Sequence, residues 1–167
     1  MSRFFFLLIA LCFSFGMASA HAVIKGDIAP KFSAPSLRDF KVVKLSALRG
    51  KVVYLEFWAS WCPPCWDAVP LLEQLHQELK DQGLVVIGVN IDDEMPDARK
   101  AIETLGASFA LVRPDDDAVK IAYDVEAMPY GVLIDRKGVV RYTKEGMSNS
   151  KLRDLKMKIE KLLETPR

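Results

Sequence analysis

Two cysteines three positions apart, in Cys62-Pro63-Pro64-Cys65, and the segments flanking them constrain this chain more than any other feature. Before them runs Val52-Val53-Tyr54-Leu55-Glu56-Phe57-Trp58, almost entirely apolar and of strand length, the pattern of a strand buried on both faces. After them Ala68, Leu72, Leu75 and Leu79 recur at helical spacing, and Gly83 closes the helix. The cysteines therefore fall in the first turn of a helix that leaves a buried strand. A helix N-terminus carries partial positive charge and unpaired N–H groups, which favour a thiolate over a thiol. Cys62, at the helix mouth, reads as the nucleophile. Cys65, one turn on and pointing inward, reads as the resolving thiol. Pro63 and Pro64 suit a first turn, where an absent N–H costs little, and they stiffen the loop.

Neither a structural bridge nor a metal site explains the pair as well. A three-residue spacing closes too small a loop to remove much unfolded-chain entropy. Zinc would need two more ligands, and beyond this pair and Cys12 the chain offers only His21 and His76. No metal and no cofactor is therefore expected. The 23 Lys and Arg against 22 Asp and Glu give no basic footprint, which excludes a nucleic-acid partner.

The chain begins with an address. Arg3 is followed by an apolar run from Phe4 to Phe15, and Gly16-Met17-Ala18-Ser19-Ala20 ends in a small-x-small pattern. This reads as a secretory leader over residues 1–20, cut after Ala20, with one domain over 21–167. A helix of the run's length reaches only ~18 Å against a ~30 Å hydrocarbon core, which favours removal over retention as an inner-membrane anchor. Cleavage removes Cys12 and leaves Cys62 and Cys65 as the only cysteines. The expected compartment is the periplasm, where disulfides persist, with no stable membrane insertion after cleavage.

Periodicity lays out the rest of the domain. Short alternating pieces around Phe32 and Val42 to Leu45 suggest an N-terminal hairpin. Leu84 to Ile91 is a second buried strand, Pro96 opens a helix that Gly106 ends, and Phe109 to Arg113 is a short strand. Ala118 to Tyr123 makes a helical turn or two. The run Asp115-Asp116-Asp117 looks like a capped helix start rather than a metal run. Val132 to Asp135 and Val139 to Thr143 form a hairpin, and Ser148 caps a last helix. The order predicts a three-layer α/β sandwich around a mixed central sheet. His76 is expected to face solvent, Trp58 the core, and Trp61 and Trp66 the rim of the site.

The block Glu56-Phe57-Trp58-Ala59-Ser60-Trp61-Cys62-Pro63-Pro64-Cys65 resembles the active-site signature of the thioredoxin superfamily. The N-terminal hairpin extension, the central β-α insertion around 84 to 113, and Met128-Pro129 followed by Leu133-Ile134-Asp135-Arg136-Lys137-Gly138 resemble its exported TlpA/ResA branch. The resemblance implies a thiol-disulfide oxidoreductase acting on protein thiols and disulfides, kept reduced by a membrane thiol-electron donor. It implies clients such as apocytochrome c or copper-site cysteines, and a monomer is expected. Pro129 matches the family's cis-proline, which with Met128, Trp61, Pro63 and Pro64 would meet an extended substrate. Glu56 stands where thioredoxins bury an acid beneath the second cysteine, and would accept the Cys65 proton. An acid in an apolar strand is costly unless used or paired, so a lysine-paired or edge-strand glutamate is the alternative. Replacing it by Gln is expected to slow resolution and to relieve the cost of a buried carboxylate. Trp66, Asp67 and Ala68 stand where relatives carry more positive charge, and Tyr130-Gly131-Val132 follows Pro129 in place of Thr-Thr-Phe.

Two rival functions remain at this point. A peroxiredoxin-like thiol peroxidase would want Thr or Ser three residues before Cys62, where Ala59 stands. A non-enzymatic copper-binding assembly factor would want a wider cysteine spacing and a distal histidine.

Overall fold

The structure is a computed structural model that describes residues 23–165; the leader expected over residues 1–20 lies outside the described residues. Seven strands and four helices follow one another as β1 (Ser33–Pro35), β2 (Val42–Lys44), β3 (Val52–Trp58), α1 (Pro63–Leu79), β4 (Leu84–Asn90), α2 (Met95–Leu105), β5 (Ala110–Val112), α3 (Ala118–Ala122), β6 (Tyr130–Ile134), β7 (Val140–Glu145) and α4 (Asn149–Leu163). The main sheet has the order β5-β4-β3-β6-β7, and β1 pairs with β2 in a separate hairpin. β3, β4 and β5 are parallel, whereas β6 runs antiparallel to β3 and β7 antiparallel to β6. The sheet is therefore mixed, as the sequence pattern required.

β3 lies at the centre because it can be buried on both faces, and all seven of its residues are. Its alternation sorts two cores. Val52, Tyr54 and Trp58 face α1, α2 and α4, in one cluster with Cys62, Cys65, Leu72, Ala98, Leu155 and Ile159. Val53, Leu55 and Phe57 face the other side, where α3 and the N-terminal segment supply Tyr123, Val125, Phe32 and Leu45. That second layer is thin, since α3 has only five residues, and the N-terminal extension completes it. The same extension guards both edges of the sheet: Leu37 N–H donates to the Leu111 carbonyl on β5, and Val140 N–H of β7 donates to the Asp27 carbonyl.

Local signals set the helix limits. Gly83 and Gly106 take left-handed conformations after α1 and α2, and the Ser148 hydroxyl accepts the Lys151 N–H at the start of α4. Asp116 Oδ1 accepts the Ala118 N–H, so an acid of the triple-aspartate run does cap α3. One expectation changes: His76 is half-buried, with its ring edge-on to Phe109 at 6.0 Å. Phe109, just before β5, reaches over the margin of the α1 stripe, and the resulting burial pushes the imidazole pKa down.

Both register neighbours of Glu56 are glycines, Gly88 on β4 and Gly131 on β6. A Cβ at Gly131 would overlap the Tyr54 hydroxyl and lie 2.8 Å from Glu56 Oε2. Gly131→Ala is therefore expected to lower stability by roughly 1–3 kcal/mol, the usual cost of overpacking, read as a lower urea midpoint. An unchanged midpoint would mean the space beside Glu56 is not closed.

Candidate active site

Cys62 is the N-cap of α1, with Pro63 and Pro64 at its first two helical positions. The Cys65 N–H donates to the Cys62 carbonyl at 3.0 Å, and the Cys62 N–H to the Ala59 carbonyl at 3.2 Å, which closes a tight turn. Cys62 and Cys65 are joined in a disulfide, with Cα atoms 5.4 Å apart. Cys65 is 1% exposed and Cys62 5%, so the sulfur pair is reached from the Cys62 side. Around it Pro63 and Pro64 are exposed, and Trp61 stands 65% exposed, an apolar rim at the helix mouth. Trp66 is half-buried and donates its indole N–H to the Ser60 carbonyl at 2.9 Å, while Trp58 is core.

The loop that carries the cysteines is anchored by a residue that sequence patterning had not singled out. Asp92, buried just after β4, accepts the Ser60 N–H at 2.9 Å, the Ser60 hydroxyl at 3.1 Å and the Asn90 amide at 2.8 Å. Three donors satisfy a carboxylate that would otherwise be costly to bury, and they fix the turn between β3 and Cys62. The available signal was an Asn and an Asp ending an apolar strand.

The Met128–Pro129 peptide bond is cis. Tyr130 pairs with Phe57 in the antiparallel register of β6 on β3, so the Met128–Pro129 loop emerges at the same end of the sheet as the cysteine loop. Met128 packs against the cluster that holds both cysteines, and Pro129 is buried. The Pro129 carbonyl accepts the Gly146 N–H at 2.7 Å, and proline has no N–H.

Glu56 is in the centre of the sheet, not on an edge, and is 3% exposed. It shares its face of β3 with Tyr54 and Trp58, the face turned toward α1 and the cysteines. Oε2 accepts the Tyr54 hydroxyl at 2.5 Å and lies 3.6 Å from Lys144 Nζ, whereas Oε1 has no partner among the described residues. The acid is thus both buried and lysine-paired. Burial pushes its pKa up, against the opposing pull of Lys144 and Tyr54. Burial likewise pulls the Lys144 pKa down, and raises that of Tyr54 well above the ordinary phenol range. Tyr54 and Lys144 were not found from sequence; Tyr54 was readable as core, and a lysine in a strand carries no signal without its partner.

A disulfide at the mouth of a helix, over a mixed five-stranded sheet and beside a cis-proline loop, defines a thiol-disulfide oxidoreductase of thioredoxin fold. Residues 24–159 match the Redoxin family, and the chain belongs to it, as a TlpA/ResA-like member. It is 36% identical over 120 residues to the thiol-disulfide oxidoreductase ResA of Geobacillus kaustophilus, across 72% of this chain and 68% of that one. It is 31% identical over 138 residues to ResA of Bacillus subtilis, across 82% and 76%. Among solved structures, a provisionally assigned thiol:disulfide interchange protein DsbE from Chlorobium tepidum superposes with a TM-score of 0.80 at 37% identity, covering 85% of this chain and 99% of that one.

Lys144 reverses one expectation. Removing the Glu56 charge does not simply relieve a buried carboxylate, because it leaves a buried ammonium unpaired. Glu56→Gln is expected to destabilise the fold at neutral pH, by as much as about 3–5 kcal/mol. A lysine whose folded pKa is depressed contributes more stability as pH rises, so the deficit should shrink on the alkaline side as Lys144 loses its proton. Urea denaturation at neutral and alkaline pH measures this; equal stability of variant and wild type at both would place Lys144 in solvent.

Proposed function

We propose that this protein is an exported reductant of protein disulfides, working in the periplasm with the leader removed after Ala20. The observation that carries the reading is a disulfide at the N-terminus of α1, packed in one cluster with Tyr54 and Trp58, the residues of β3 that share a face with the buried Glu56, whose Oε1 has no partner among the described residues. In the reduced protein the Cys62 thiolate, favoured by the helix N-terminus, attacks one sulfur of a client disulfide. A Cys62–client bond forms, and the other client sulfur leaves as a thiolate that takes a proton from water. Cys65 then passes its proton to Glu56 and attacks Cys62. The Cys62–Cys65 bond forms, the client's second sulfur is released, and the two electrons of the enzyme dithiol have moved to the client. Trp61, Pro63 and Pro64 offer an apolar rim, and Met128 beside Pro129 the backbone groups for an extended client segment.

A membrane thiol-electron donor would return the disulfide to the dithiol, and the protein is read as a monomer. Clients would be proteins whose cysteines must be reduced before a cytochrome c or copper site is assembled. The similarity to a thiol-disulfide oxidoreductase and to a thiol:disulfide interchange protein supports the chemistry. The peroxidase reading is weaker, since buried Ala59 offers no hydroxyl at the position that would orient peroxide. The copper reading lacks a distal histidine at the pair: His76 lies about 20 Å along α1 from Cys62 at 1.5 Å per residue.

A reductant should have a reduction potential near thioredoxin's ~−270 mV, and a value near the ~−120 mV of a strong oxidant would overturn the direction. Glutathione redox equilibria followed by tryptophan fluorescence give that number. The roles of the sulfurs are separable as well. Cys65→Ser should accumulate mixed disulfides with clients because resolution is blocked, and Cys62→Ser should trap none. Equal trapping by both variants would contradict the assignment.

A further inference from the structure

The buried acid is met by one cation, and the sheet is built to let that cation reach it. Glu56, Gly131 and Lys144 stand in register across β3, β6 and β7. The middle position has no side chain: a Cβ at Gly131 would fall on the Tyr54 hydroxyl and 2.8 Å from Glu56 Oε2, the same oxygen that lies 3.6 Å from Lys144 Nζ. Its ammonium is pinned there by a hydrogen bond to the Gly146 carbonyl at 2.8 Å, and the Gly146 N–H in turn holds the Pro129 carbonyl at 2.7 Å. Lys144 is 7% exposed, so an ordinary solubilising role does not explain it.

We propose that Lys144 is a positioning residue for the resolving step, which keeps Glu56 as a carboxylate with Oε1 free to take the Cys65 proton. This rests on the reading of Glu56 as proton acceptor and goes one residue beyond it. A carboxyl buried in this core without a cation would hold its proton at neutral pH, and a protonated acid cannot act as a base. Every other group facing the acid is unable to supply the charge. Gly88 and Gly131, beside it on β4 and β6, have no side chains, and Tyr54 donates a neutral hydrogen bond. Farther out on β7, Tyr142 gives its hydroxyl to Asp154 of α4, and Asp154 is paired with Lys158. Lys151 of α4 donates to the Glu145 carbonyl, and its charge works against that of Lys144. From α1, Cys65 packs in the same cluster as Tyr54 and Trp58, the neighbours of Glu56 on its face of β3, and is the proton donor of the proposed step. Among the described residues, Lys144 is the one cation within ion-pair distance of Glu56.

Reduced protein mixed with the chromogenic disulfide 5,5′-dithiobis(2-nitrobenzoate) separates the two steps in one absorbance trace. Attack by Cys62 releases the first nitrothiophenolate, and attack by Cys65 on the resulting mixed disulfide releases the second. In Lys144→Met the pH at which the second step is half-maximal should move to the alkaline side by at least about one unit, the usual effect of removing an opposite charge at this range. At neutral pH that step should be about tenfold slower, with the wild-type rate recovered at high pH and the first step changed far less. Glu56→Gln should be slow without that recovery. In a Glu56→Gln background, Lys144→Met should add nothing to the second step. The double variant carries neither charge, so it also keeps the test open if Lys144→Met alone fails to fold. An unshifted pH profile, or further slowing of the double variant beyond Glu56→Gln, would overturn the inference. Absence of both steps in the wild type would instead overturn the oxidoreductase reading itself.

Discussion

A carboxylate and an ammonium sit side by side in the middle of this sheet, and much of the local architecture exists because they do. Neither charge is tolerable alone in such a core, where losing one partner costs more than the pair contributes. Glu56 and its hydrogen-bond donor need lateral room, which Gly131 provides; the pair needs a pinned lysine, which the Gly146 carbonyl provides; and it needs a neutral donor, which Tyr54 provides. Each of these is a constraint on sequence that packing alone would not impose. Tyr130-Gly131-Val132 after the cis-proline, which departs from the commoner thioredoxin pattern, is understandable in these terms: a side chain at 131 would strike the Tyr54 hydroxyl and crowd Glu56 Oε2.

The site itself is a matter of where chain ends fall. β3 delivers the cysteine loop at one end of the sheet, and β6, antiparallel to it, starts from the Met128–Pro129 loop at that same end. Asp92 ties the cysteine loop to the end of β4, and Gly146 ties the proline loop to the end of β7. Four of the five strands of the sheet thus contribute a terminus to the redox centre or its support. The disulfide lies over a rigid floor, while Trp61, Pro63 and Pro64 remain exposed above it.

The fold was largely legible in the sequence because its signals are local. The apolar runs at 52–58 and 84–90, the glycines at 83 and 106 and the serine at 148 each mark an element through backbone chemistry that needs no distant partner. Cys62 and Cys65 were legible for the same reason, lying at a recognisable strand-to-helix junction, whereas Pro129 and the role of Glu56 were reached through the resemblance to the thioredoxin superfamily. Lys144, Tyr54 and Asp92 were not, because their significance lies in contacts between strands far apart in sequence. Lys144 is 88 residues from the carboxylate it neutralises and Asp92 is 32 from the serine it holds. His76 was misjudged for a related reason, since helical periodicity placed it on a margin whose burial depends on Phe109.

The proposed resolving step depends on Glu56 being a buried, titrating base coupled to the cysteine pair. Carboxyl-carbon NMR of Glu56, followed through a pH titration in the reduced and oxidised protein, tests it most directly. The Glu56 carboxyl should titrate above the ordinary carboxylate range, pushed up by burial, and its curve should change when the Cys62–Cys65 disulfide is reduced, as interacting sites must. A carboxyl titrating in the ordinary range, with the same curve in both redox states, would contradict it.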